Sequence, residues 1–318
     1  MRVQAIINPI SGVGSKRKIP RLLELMCERA GHELSLTFTE YAGHASRITR
    51  EEVDKGTDCI IAVGGDGTVN EIARQMINSK SILGIVPMGS GNGLARELHI
   101  PMDPKKALEI IWKGRKAVID SCRANDRVFF CTCGVGFDAA VSQKFAKEKR
   151  RGSITYLKNA IEEYLSYKPE VYNLLIGSDQ VSEKAFLIAC GNASQYGNNA
   201  YIAPRADIQD GKMNVTIMSP FTVVDIPELA LQLFTKHLDK NTSVKTLETD
   251  KLSIVRSKPG IMHLDGEPVW ADSQIDISVI PDSLNVFVPE NASNKKEIKE
   301  LFGEVYRFFD KRIPYIFR

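Results

Sequence analysis

Three times before residue 100, a short apolar segment leads into a glycine-rich turn and then into a helical pattern. The apolar segments span residues 3–7, 59–63 and 82–86, and the turns after them span 8–16, 64–68 and 89–93. Strands that alternate with helices build a parallel sheet, and such sheets bind ligands at the edge where their strands end. The repeat therefore predicts an α/β domain with three glycine-rich turns around one ligand site.

The middle turn combines phosphate-binding geometry with a carboxylate. Its sequence is Gly64-Gly65-Asp66-Gly67-Thr68. Glycines allow backbone N–H groups to approach an anion closely, and the positive end of the helix expected from residue 69 adds to the attraction. Asp66 would repel a phosphate unless a cation or a transferable proton intervened, so the pairing indicates phosphoryl transfer with a divalent metal. A tight turn with a solvated aspartate is the alternative.

Spacing excludes two common nucleotide-binding motifs. The loop at 11–16 lacks the G-x-x-x-x-G-K-[ST] order of a Walker A motif, and the segment 89–94 is not G-x-G-x-x-G. These departures argue against P-loop and dinucleotide-binding chemistry.

A second carboxylate element lies far along the chain, in Leu264-Asp265-Gly266-Glu267. Two acids around a glycine at the end of a strand supply a general base and a metal or hydroxyl partner if the fold places them opposite Asp66. Without the other motifs, the same residues would indicate a hairpin turn with two solvated acids.

The order of these motifs resembles that of the diacylglycerol kinase and sphingosine kinase superfamily. The matching elements are Asn8-Pro9-x-Ser11-Gly12, Gly64-Gly65-Asp66-Gly67-Thr68 with Asn70-Glu71, Gly89-Ser90-Gly91-Asn92, and Leu264-Asp265-Gly266-Glu267. The resemblance spans nearly the whole chain and implies a lipid kinase that uses ATP and Mg²⁺ to phosphorylate a primary hydroxyl. It marks Glu267 as the catalytic base, with Asp66 organising magnesium and phosphates and Asp265 in the same catalytic group.

The resemblance also implies a set of nucleotide-binding residues. They are Asn8, Pro9, Ser11, Gly12, Thr39, Gly64, Gly65, Asp66, Gly67, Thr68, Asn70, Glu71, Gly89, Ser90 and Asn92. Thr39 would place its hydroxyl near the nucleotide, whereas the nearby His44 is equally well explained as a residue at a helix start.

The chain changes character near residue 118. With 318 residues and 43% hydrophobic content it can bury a sizeable core, and we expect two domains. They are an α/β nucleotide-binding domain over 1–118 and an antiparallel β domain over 119–291, either a sandwich or a barrel, for which the resemblance implies a β-sandwich. Strands are predicted at 128–133, 171–176, 185–190, 212–218, 251–255, 261–264, 274–280 and 285–288, and helices at 153–168 and 223–237.

A C-terminal helix is predicted over 292–318, where apolar residues recur at helical spacing. The resemblance implies that the sandwich covers the lipid and that this helix returns to the first domain. A membrane contact or a homodimer contact is the alternative role for the helix.

A further acidic element is Asp207-Ile208-Gln209-Asp210-Gly211-Lys212. In related bacterial lipid kinases a structural magnesium lies in this loop, so the resemblance implies a metal site formed by Asp210 and the backbone carbonyls of Asp207 and Lys212. Oxygen ligands and a glycine turn suit a hard cation. An ordinary Asp-Gly turn is the alternative.

Asp138 bears on the choice of substrate, because it follows Gly134-Val135-Gly136-Phe137. The segment resembles the part of sphingosine kinases in which an aspartate contacts the lipid headgroup, and an anion there could pair with a sphingoid amine. The spacing differs from that of the eukaryotic enzymes, and Asp138 could instead cap the following helix. We expect diacylglycerol or a related glycerolipid ahead of a sphingoid base.

Composition narrows the partners and the location. A net charge of +3 is too mild to indicate nucleic acid, although it suits contact with an anionic membrane surface, as does the basic run at 144–151. No apolar run approaches the ~20 residues that span a bilayer, and the N-terminus does not resemble a signal peptide. We expect a cytoplasmic protein, peripheral at the inner face of the membrane, whose six cysteines are reduced.

Two other functions stay open at this point. NAD kinases share the Gly-Gly-Asp-Gly turn, but they should lack the Leu-Asp-Gly-Glu element. A catalytically silent regulator that binds lipid or nucleotide would have no need of Asp66, Asp265 and Glu267 together.

Overall fold

The computed structural model describes residues 1–10, 18–146, 164 and 166–290. The strands in these ranges are β1 (Arg2–Ile7), β2 (Glu33–Phe38), β3 (Cys59–Gly64), β4 (Ile82–Pro87), β5 (Arg115–Ala124), β6 (Arg127–Phe129), β7 (Thr132–Gly136), β8 (Glu170–Ile176), β9 (Asp179–Ala185), β10 (Leu187–Gly191), β11 (Met213–Met218), β12 (Val244–Thr249), β13 (Lys251–Arg256), β14 (Gly260–Leu264), β15 (Glu267–Ala271) and β16 (Gln274–Val288). The α-helices are α1 (Ile19–Ala30), α2 (His44–Asp54), α3 (Asp66–Met76), α4 (Gly93–Glu97), α5 (Pro104–Lys113), α6 (Phe137–Ala146) and α7 (Ile226–Thr235).

A ten-stranded sheet runs through both halves of the described chain in the order β2-β1-β3-β4-β16-β13-β8-β9, with β5 beside β16 and β6 beside β5. The first four strands pair in parallel. Strand β16 joins β4 in parallel at Val286 and Leu83, and it pairs with β13 in the antiparallel sense. The sheet therefore changes from parallel to antiparallel at β16.

The parallel half is covered on both faces, as its composition requires. All six residues of β3 and of β4 are buried, which is typical of parallel strands between layers of helices. Leu23 of α1 and Leu108 of α5 pack on one face, and Ile48 of α2 and Ile72 of α3 pack on the other. The turns that follow β1, β3 and β4 therefore open at one uncovered edge.

The second half is a β-sandwich. Its other layer is a six-stranded antiparallel sheet in the order β12-β11-β10-β7-β14-β15. Leu174 of β8 and Ile254 of β13 share a buried core with Val135 of β7 and Ile188 of β10. The predicted combination of an α/β domain with an antiparallel β-sandwich is confirmed.

The prediction of two separate strands, at 274–280 and 285–288, is wrong. The structure has one strand of 15 residues with an irregularity between Ile280 and Leu284. The backbone N–H of Asp282 donates to Oδ1 of buried Asp120 (2.7 Å), and the hydroxyls of Ser283 and Ser121 are 2.8 Å apart. These bonds hold the irregular segment against β5, so that the chain continues in the same direction.

Other predicted elements differ in their limits. The predicted strand at 128–133 is divided between β6 and β7, and strands β2, β5, β9, β12 and β15 were not predicted. The predicted helix at 223–237 is a 3₁₀ turn, Val223–Asp225, followed by α7. The helix at 153–168 lies outside the described residues except for 164 and 166–168, and the C-terminal helix lies wholly outside them. The proposed boundary between residues 118 and 119 falls within β5.

Helix α3 begins three residues before the predicted position of 69, at Asp66. Gly65 is its N-cap residue in an extended conformation, and the backbone N–H of Val69 donates to the carbonyl of Gly65 (3.0 Å). The Asp66-Gly67-Thr68 segment is therefore the first helical turn, whose N–H groups have no acceptor within the helix itself.

All six cysteines lie among the described residues, and all are buried with free thiols. Burial raises the pKa of the Cys59 thiol to about 12. The expectation of reduced core cysteines agrees with these positions.

Candidate active site

The two central glycine turns pack backbone against backbone. A Cβ on Gly89 would lie 2.7 Å from Cα of Gly65, and a Cβ on Gly91 would lie 2.8 Å from Oδ2 of Asp66. Neither distance leaves room for a side chain, so glycine is required at these positions by close approach rather than by an unusual φ. The turns after β3 and β4 therefore form one rim at the edge of the sheet.

Asp66 holds this rim together. Its Oδ2 accepts a hydrogen bond from the backbone N–H of Asn92 (2.8 Å), and its Oδ1 accepts one from Gly93 (2.6 Å). The Asn92 side chain closes its own turn by accepting from the N–H of Gly89 (2.9 Å) and donating to the Gly89 carbonyl (2.8 Å). The carboxylate in the first turn of α3 thus sets the position of the neighbouring turn.

Other predicted nucleotide-binding residues meet at the same edge. The Asn8 amide donates to Oγ1 of Thr68 (3.0 Å), which joins the end of β1 to α3. The Glu71 carboxylate accepts from the backbone N–H of Gly43 (3.2 Å), which joins α3 to the start of α2. Thr39 follows β2 and donates its backbone N–H to the carbonyl of Ile7 (2.9 Å).

The remaining predicted nucleotide-binding residues differ in exposure. Pro9 and Ser90 are exposed at the rim, whereas Gly64 is buried beneath Thr68. Ser11 and Gly12 lie outside the described residues. His44, which the sequence left open as a helix-start residue, is the first residue of α2; it is buried and stacks on Tyr41 with ring centroids 4.6 Å apart.

Asp265 connects the sandwich to α3. Its carboxylate accepts backbone bonds from Phe130 (2.9 Å), Cys131 (2.7 Å) and Thr132 (3.0 Å). The amide of Asn70 on α3 donates a fourth bond of 3.1 Å. Burial raises the pKa of Asp265, and the three backbone bonds oppose that shift. A carboxylate has about four lone-pair sites, so Asp265 is fully occupied by its own protein.

Glu267 lies across from the first turn of α3. A Cβ on Gly67 would be 3.4 Å from Oε1 of Glu267. Within the described ranges the Glu267 carboxylate accepts no hydrogen bond, and the residue is exposed. Lost hydration on the side facing the first domain raises the pKa of Glu267. The charge of Arg74 lowers this pKa, whereas Asp265, Glu71 and Asp66 add to the increase.

Both oxygens of the Asp138 carboxylate already have partners within the protein. It is buried near the start of α6, where Oδ1 accepts from the N–H of Ala139 (2.8 Å). Its Oδ2 lies 3.0 Å from Nε2 of His263 and accepts a bond from the Tyr196 hydroxyl (2.9 Å). The role of this residue in substrate binding stays a prediction.

The predicted metal loop has each carboxylate engaged in a local turn. Oδ1 of Asp207 accepts from the backbone N–H of Gln209 (3.0 Å), and Oδ1 of Asp210 accepts from Lys212 (2.9 Å). The N–H of Asp210 faces the carbonyl of Asp207 at 3.4 Å. Both aspartates and Lys212 are exposed, and a metal in this loop stays a prediction.

Three functional neighbours were missed by sequence reasoning. Arg74 donates from Nε to the carbonyl of Val128 (3.0 Å) and acts electrostatically on Glu267. Its spacing of four residues from Asn70 along α3 was a usable signal. His263 directly precedes the Leu264–Glu267 motif in the sequence, but no local pattern indicates that it or Tyr196 contacts Asp138, because both contacts join distant parts of the chain.

Two family models match consecutive parts of the chain. Residues 2–124 match the diacylglycerol kinase catalytic domain, and residues 131–288 match the YegS C-terminal NAD kinase beta sandwich-like domain. A protein of Pectobacterium atrosepticum named "Probable lipid kinase YegS-like" is 30% identical over 270 residues, which cover 83% of this chain and 89% of that protein. The chain belongs to the YegS-like lipid kinase family.

Further relatives agree with this membership. A diacylglycerol kinase of Mycobacterium tuberculosis is 27% identical and covers 91% of this lipid kinase and 96% of its own length. The crystal structure of a diacylglycerol kinase from Bacillus anthracis strain Sterne has the same fold, with a TM-score of 0.69 at 18% identity over 90% of this chain and 96% of that one. The protein is therefore a kinase, for which ATP is the phosphoryl donor.

Among the described residues, no helix is both long and apolar enough to cross a membrane.

The four bonds to Asp265 generate a prediction. Asp265→Asn replaces one acceptor oxygen with an amide group that faces N–H donors, so we expect the free energy of unfolding to fall by about 2 kcal/mol or more. Urea unfolding followed by tryptophan fluorescence would measure the change. Asp272→Asn, at an exposed position just after β15, is the matched control and should change stability by less than about 0.5 kcal/mol. Equal stability of both variants would contradict the anchoring role.

Proposed function

We propose that this lipid kinase transfers the γ-phosphoryl group of ATP, with Mg²⁺, to the primary hydroxyl of diacylglycerol or a related neutral glycerolipid. The observation that carries the proposal is the position of Glu267. Its carboxylate lies against Gly67, next to Asp66 in the first turn of α3. A base from the sandwich and an anion-binding helix start from the first domain thus face the same space.

The hydrogen bonds indicate a different role for each of the three acids proposed as catalytic. Asp265 already accepts four bonds, so its role is to anchor the turn that carries Glu267. Glu267 is free to accept the proton of the lipid hydroxyl while that oxygen attacks the γ-phosphorus. The bond between the γ-phosphorus and the bridging oxygen breaks, and ADP leaves. A raised pKa brings the base closer to the working pH.

Mg²⁺ fits Asp66 better than a site built wholly from protein. The described residues include no group of three or more His, Cys, Asp or Glu side chains that could hold a metal ion. Magnesium at phosphoryl-transfer sites is held by one or two carboxylates together with substrate phosphates and water. Among the described residues, each oxygen of Asp66 accepts a single hydrogen bond, which leaves a second lone pair for such a ligand. When bound, Mg²⁺ would neutralise phosphate charge beside this carboxylate.

The surroundings of Asp138 favour a neutral acceptor. Both of its oxygens have protein donors, and the residue is buried. A sphingoid ammonium would have to displace one of these donors and lose its own hydration to reach the carboxylate. Diacylglycerol presents a hydroxyl without a charge, and it needs only the proton acceptor that Glu267 supplies.

We propose that the acceptor is taken from a membrane surface. Supporting this, the 3₁₀ turn before α7 exposes Val223 (58%) and Val224 (83%), and α7 itself exposes Leu231 (40%). Exposed apolar side chains gain free energy when they enter the interface of a bilayer. Of the basic run at 144–151, only residues 144–146 lie in the described part of the chain, so it adds nothing to this choice.

The proposal is tested by transfer of labelled phosphate from ATP and Mg²⁺ to diacylglycerol, sphinganine and NAD, each in mixed micelles. We expect label in diacylglycerol alone, and a decrease of about 10²- to 10⁴-fold in kcat for Glu267→Gln, because the hydroxyl then lacks its proton acceptor. Glu248→Gln, an exposed glutamate on β12, is the matched control and should keep the full rate. Label in sphinganine or NAD instead, or a fully active Glu267→Gln enzyme, would contradict the proposal.

Arg74 should shift the pH dependence of the reaction. Its charge lowers the pKa of Glu267, so Arg74→Met should raise that pKa and move the acid limb of the kcat/KM profile to higher pH. Initial rates between about pH 5 and pH 9 would show the shift. Arg50→Met is the control. Arg50 lies on α2 and bonds to Gln75, the residue after Arg74 on α3, but it is not among the charges that act on Glu267. An acid limb that stays in place or moves to lower pH would contradict this role.

Membrane contact is tested with vesicles of phosphatidylcholine and phosphatidylglycerol. Replacing Val223 and Val224 with serine should weaken sedimentation with these vesicles by about ten-fold, since apolar area would no longer enter the bilayer. Val181→Ser, on β9, removes a comparably apolar exposed side chain elsewhere and should bind as the unchanged protein does. Equal binding of all three proteins would rule out this turn as the contact.

A further inference from the structure

Two buried side chains, Asp138 and His263, form a polar cluster with the half-buried Tyr196 beside the proposed base. Asp138 is 6% exposed and His263 is 1% exposed, and Nε2 of His263 lies 3.0 Å from Oδ2 of Asp138. The Tyr196 hydroxyl donates to the same oxygen at 2.9 Å, and its ring meets the His263 ring edge to face at 5.7 Å. A Cβ on Gly134 would lie 2.4 Å from Oδ2 of Asp138, so the cluster is packed without space.

A buried polar cluster of this kind would lower the stability of the fold if its role were purely structural. In the described ranges, Asp138 has no ion pair with Lys or Arg, and His263 is its one basic partner. Removing a carboxylate from water costs several kcal/mol unless good partners replace the hydration. An apolar side chain on β14 could fill the same volume without this cost, which suggests that the polar pair serves the reaction.

The second nitrogen of His263 faces the turn that carries Glu267. The backbone N–H of Gly266 points to Nδ1 at 3.4 Å, a long hydrogen bond. With Nδ1 as acceptor, the imidazole is neutral and its proton is on Nε2, where it is donated to Asp138. A chain of contacts therefore runs from Asp138 through His263 to the backbone of Gly266, the residue before Glu267.

Tyr196 links the same cluster to the nucleotide side. Its carbonyl oxygen would be 3.3 Å from a Cβ on Gly93, whose N–H donates to Asp66. Gly197, the next residue, packs on Gly91: a Cβ on Gly197 would lie 3.2 Å from the Gly91 carbonyl oxygen. The cluster thus contacts both the 265–267 turn, which carries Glu267, and the 89–93 turn, which Asp66 holds in place.

We propose that His263 is a positioning residue for phosphoryl transfer. Held by Asp138 and Tyr196, it fixes the backbone of the 265–267 turn so that the Glu267 carboxylate stays opposite the start of α3. The inference rests on the proposed function, because it acts through Glu267. It assigns Asp138 to this arrangement rather than to an amine of the substrate.

The test is a double-mutant cycle between His263 and Glu267 with diacylglycerol and MgATP. Because a displacement of about 1 Å can cost about 10²-fold in rate, His263→Leu should lower kcat by about 10- to 100-fold and leave KM for ATP within about two-fold. In the Glu267→Gln background, the same His263→Leu change should lower the residual rate by less than about two-fold. A residue needed only for folding would lower the rate equally in both backgrounds, and that result would overturn the proposal.

Conservative variants separate the two links of His263. His263→Asn keeps an acceptor near the position of Nδ1 and should recover part of the lost kcat, whereas His263→Gln reaches Asp138 but not Gly266 and should recover less. If His263→Leu fails to fold, these variants and Tyr196→Phe carry the same cycle, and urea unfolding confirms that each is folded. His237→Asn, at an exposed histidine, is the control and should keep the full rate.

The outcomes distinguish the inference from the function on which it rests. A fully active Glu267→Gln enzyme would overturn the proposed base and the positioning role with it. An inactive Glu267→Gln enzyme beside a fully active His263→Leu enzyme would overturn the positioning role alone.

Discussion

The structure of the site depends on the buried carboxylate of Asp265. It accepts three backbone bonds from the segment that enters the sandwich and one from Asn70 on α3. A buried carboxylate is tolerated only while its donors stay in place, because desolvation costs several kcal/mol. These four bonds therefore resist any separation of the sandwich from α3. Because Glu267 follows two residues later, they also determine where the proposed base can lie.

Asp66 has the corresponding position on the nucleotide side, with fewer of its lone pairs in use. It holds the neighbouring turn with two backbone bonds, and the contact between Gly65 and Gly89 leaves no space for that turn to shift. The three acids thus form a series in the number of hydrogen bonds that they accept from described residues: Asp265 accepts four, Asp66 accepts two and Glu267 accepts none. In the proposed mechanism, this gradation accounts for the assignment of Asp265 as anchor, Asp66 as cation ligand and Glu267 as base.

The parts of this architecture that depend on neighbours in sequence could be predicted. The glycine turns after apolar segments predicted the ends of the preceding strands to within about a residue. They also predicted the sheet edge at which the candidate site lies. The prediction for β16 was wrong, because Pro281-Asp282 is a local turn signal. It is overridden by the hydrogen bond that the backbone N–H of Asp282 donates to Asp120, 162 residues away. The start of α3 was placed late, since a Gly-Asp-Gly sequence is typical of turns while the helix is set by packing on β3 and β4.

The long-range partners were beyond prediction for the same reason. Asp138 was found from its motif, but its contacts with Tyr196 and His263 join residues 58 and 125 positions apart. Only the folded sheets bring these residues together. The motif therefore identified an important carboxylate without showing what it faces.

The surroundings of Asp138 affect which lipid the proposed cleft can bind as phosphoryl acceptor. With donors on both oxygens and little exposure, this carboxylate gains nothing from an ammonium that must first be dehydrated. Lost hydration, and then repulsion by Asp265, Glu71 and Asp66, raise the pKa of Glu267 against the opposing charge of Arg74, so the cleft holds several carboxylates besides Asp138. A cation that accompanies the nucleotide would relieve that repulsion, whereas a cation on the lipid would compete for the same carboxylates. A neutral hydroxyl lipid avoids the competition, and it leaves Glu267 free to take the proton.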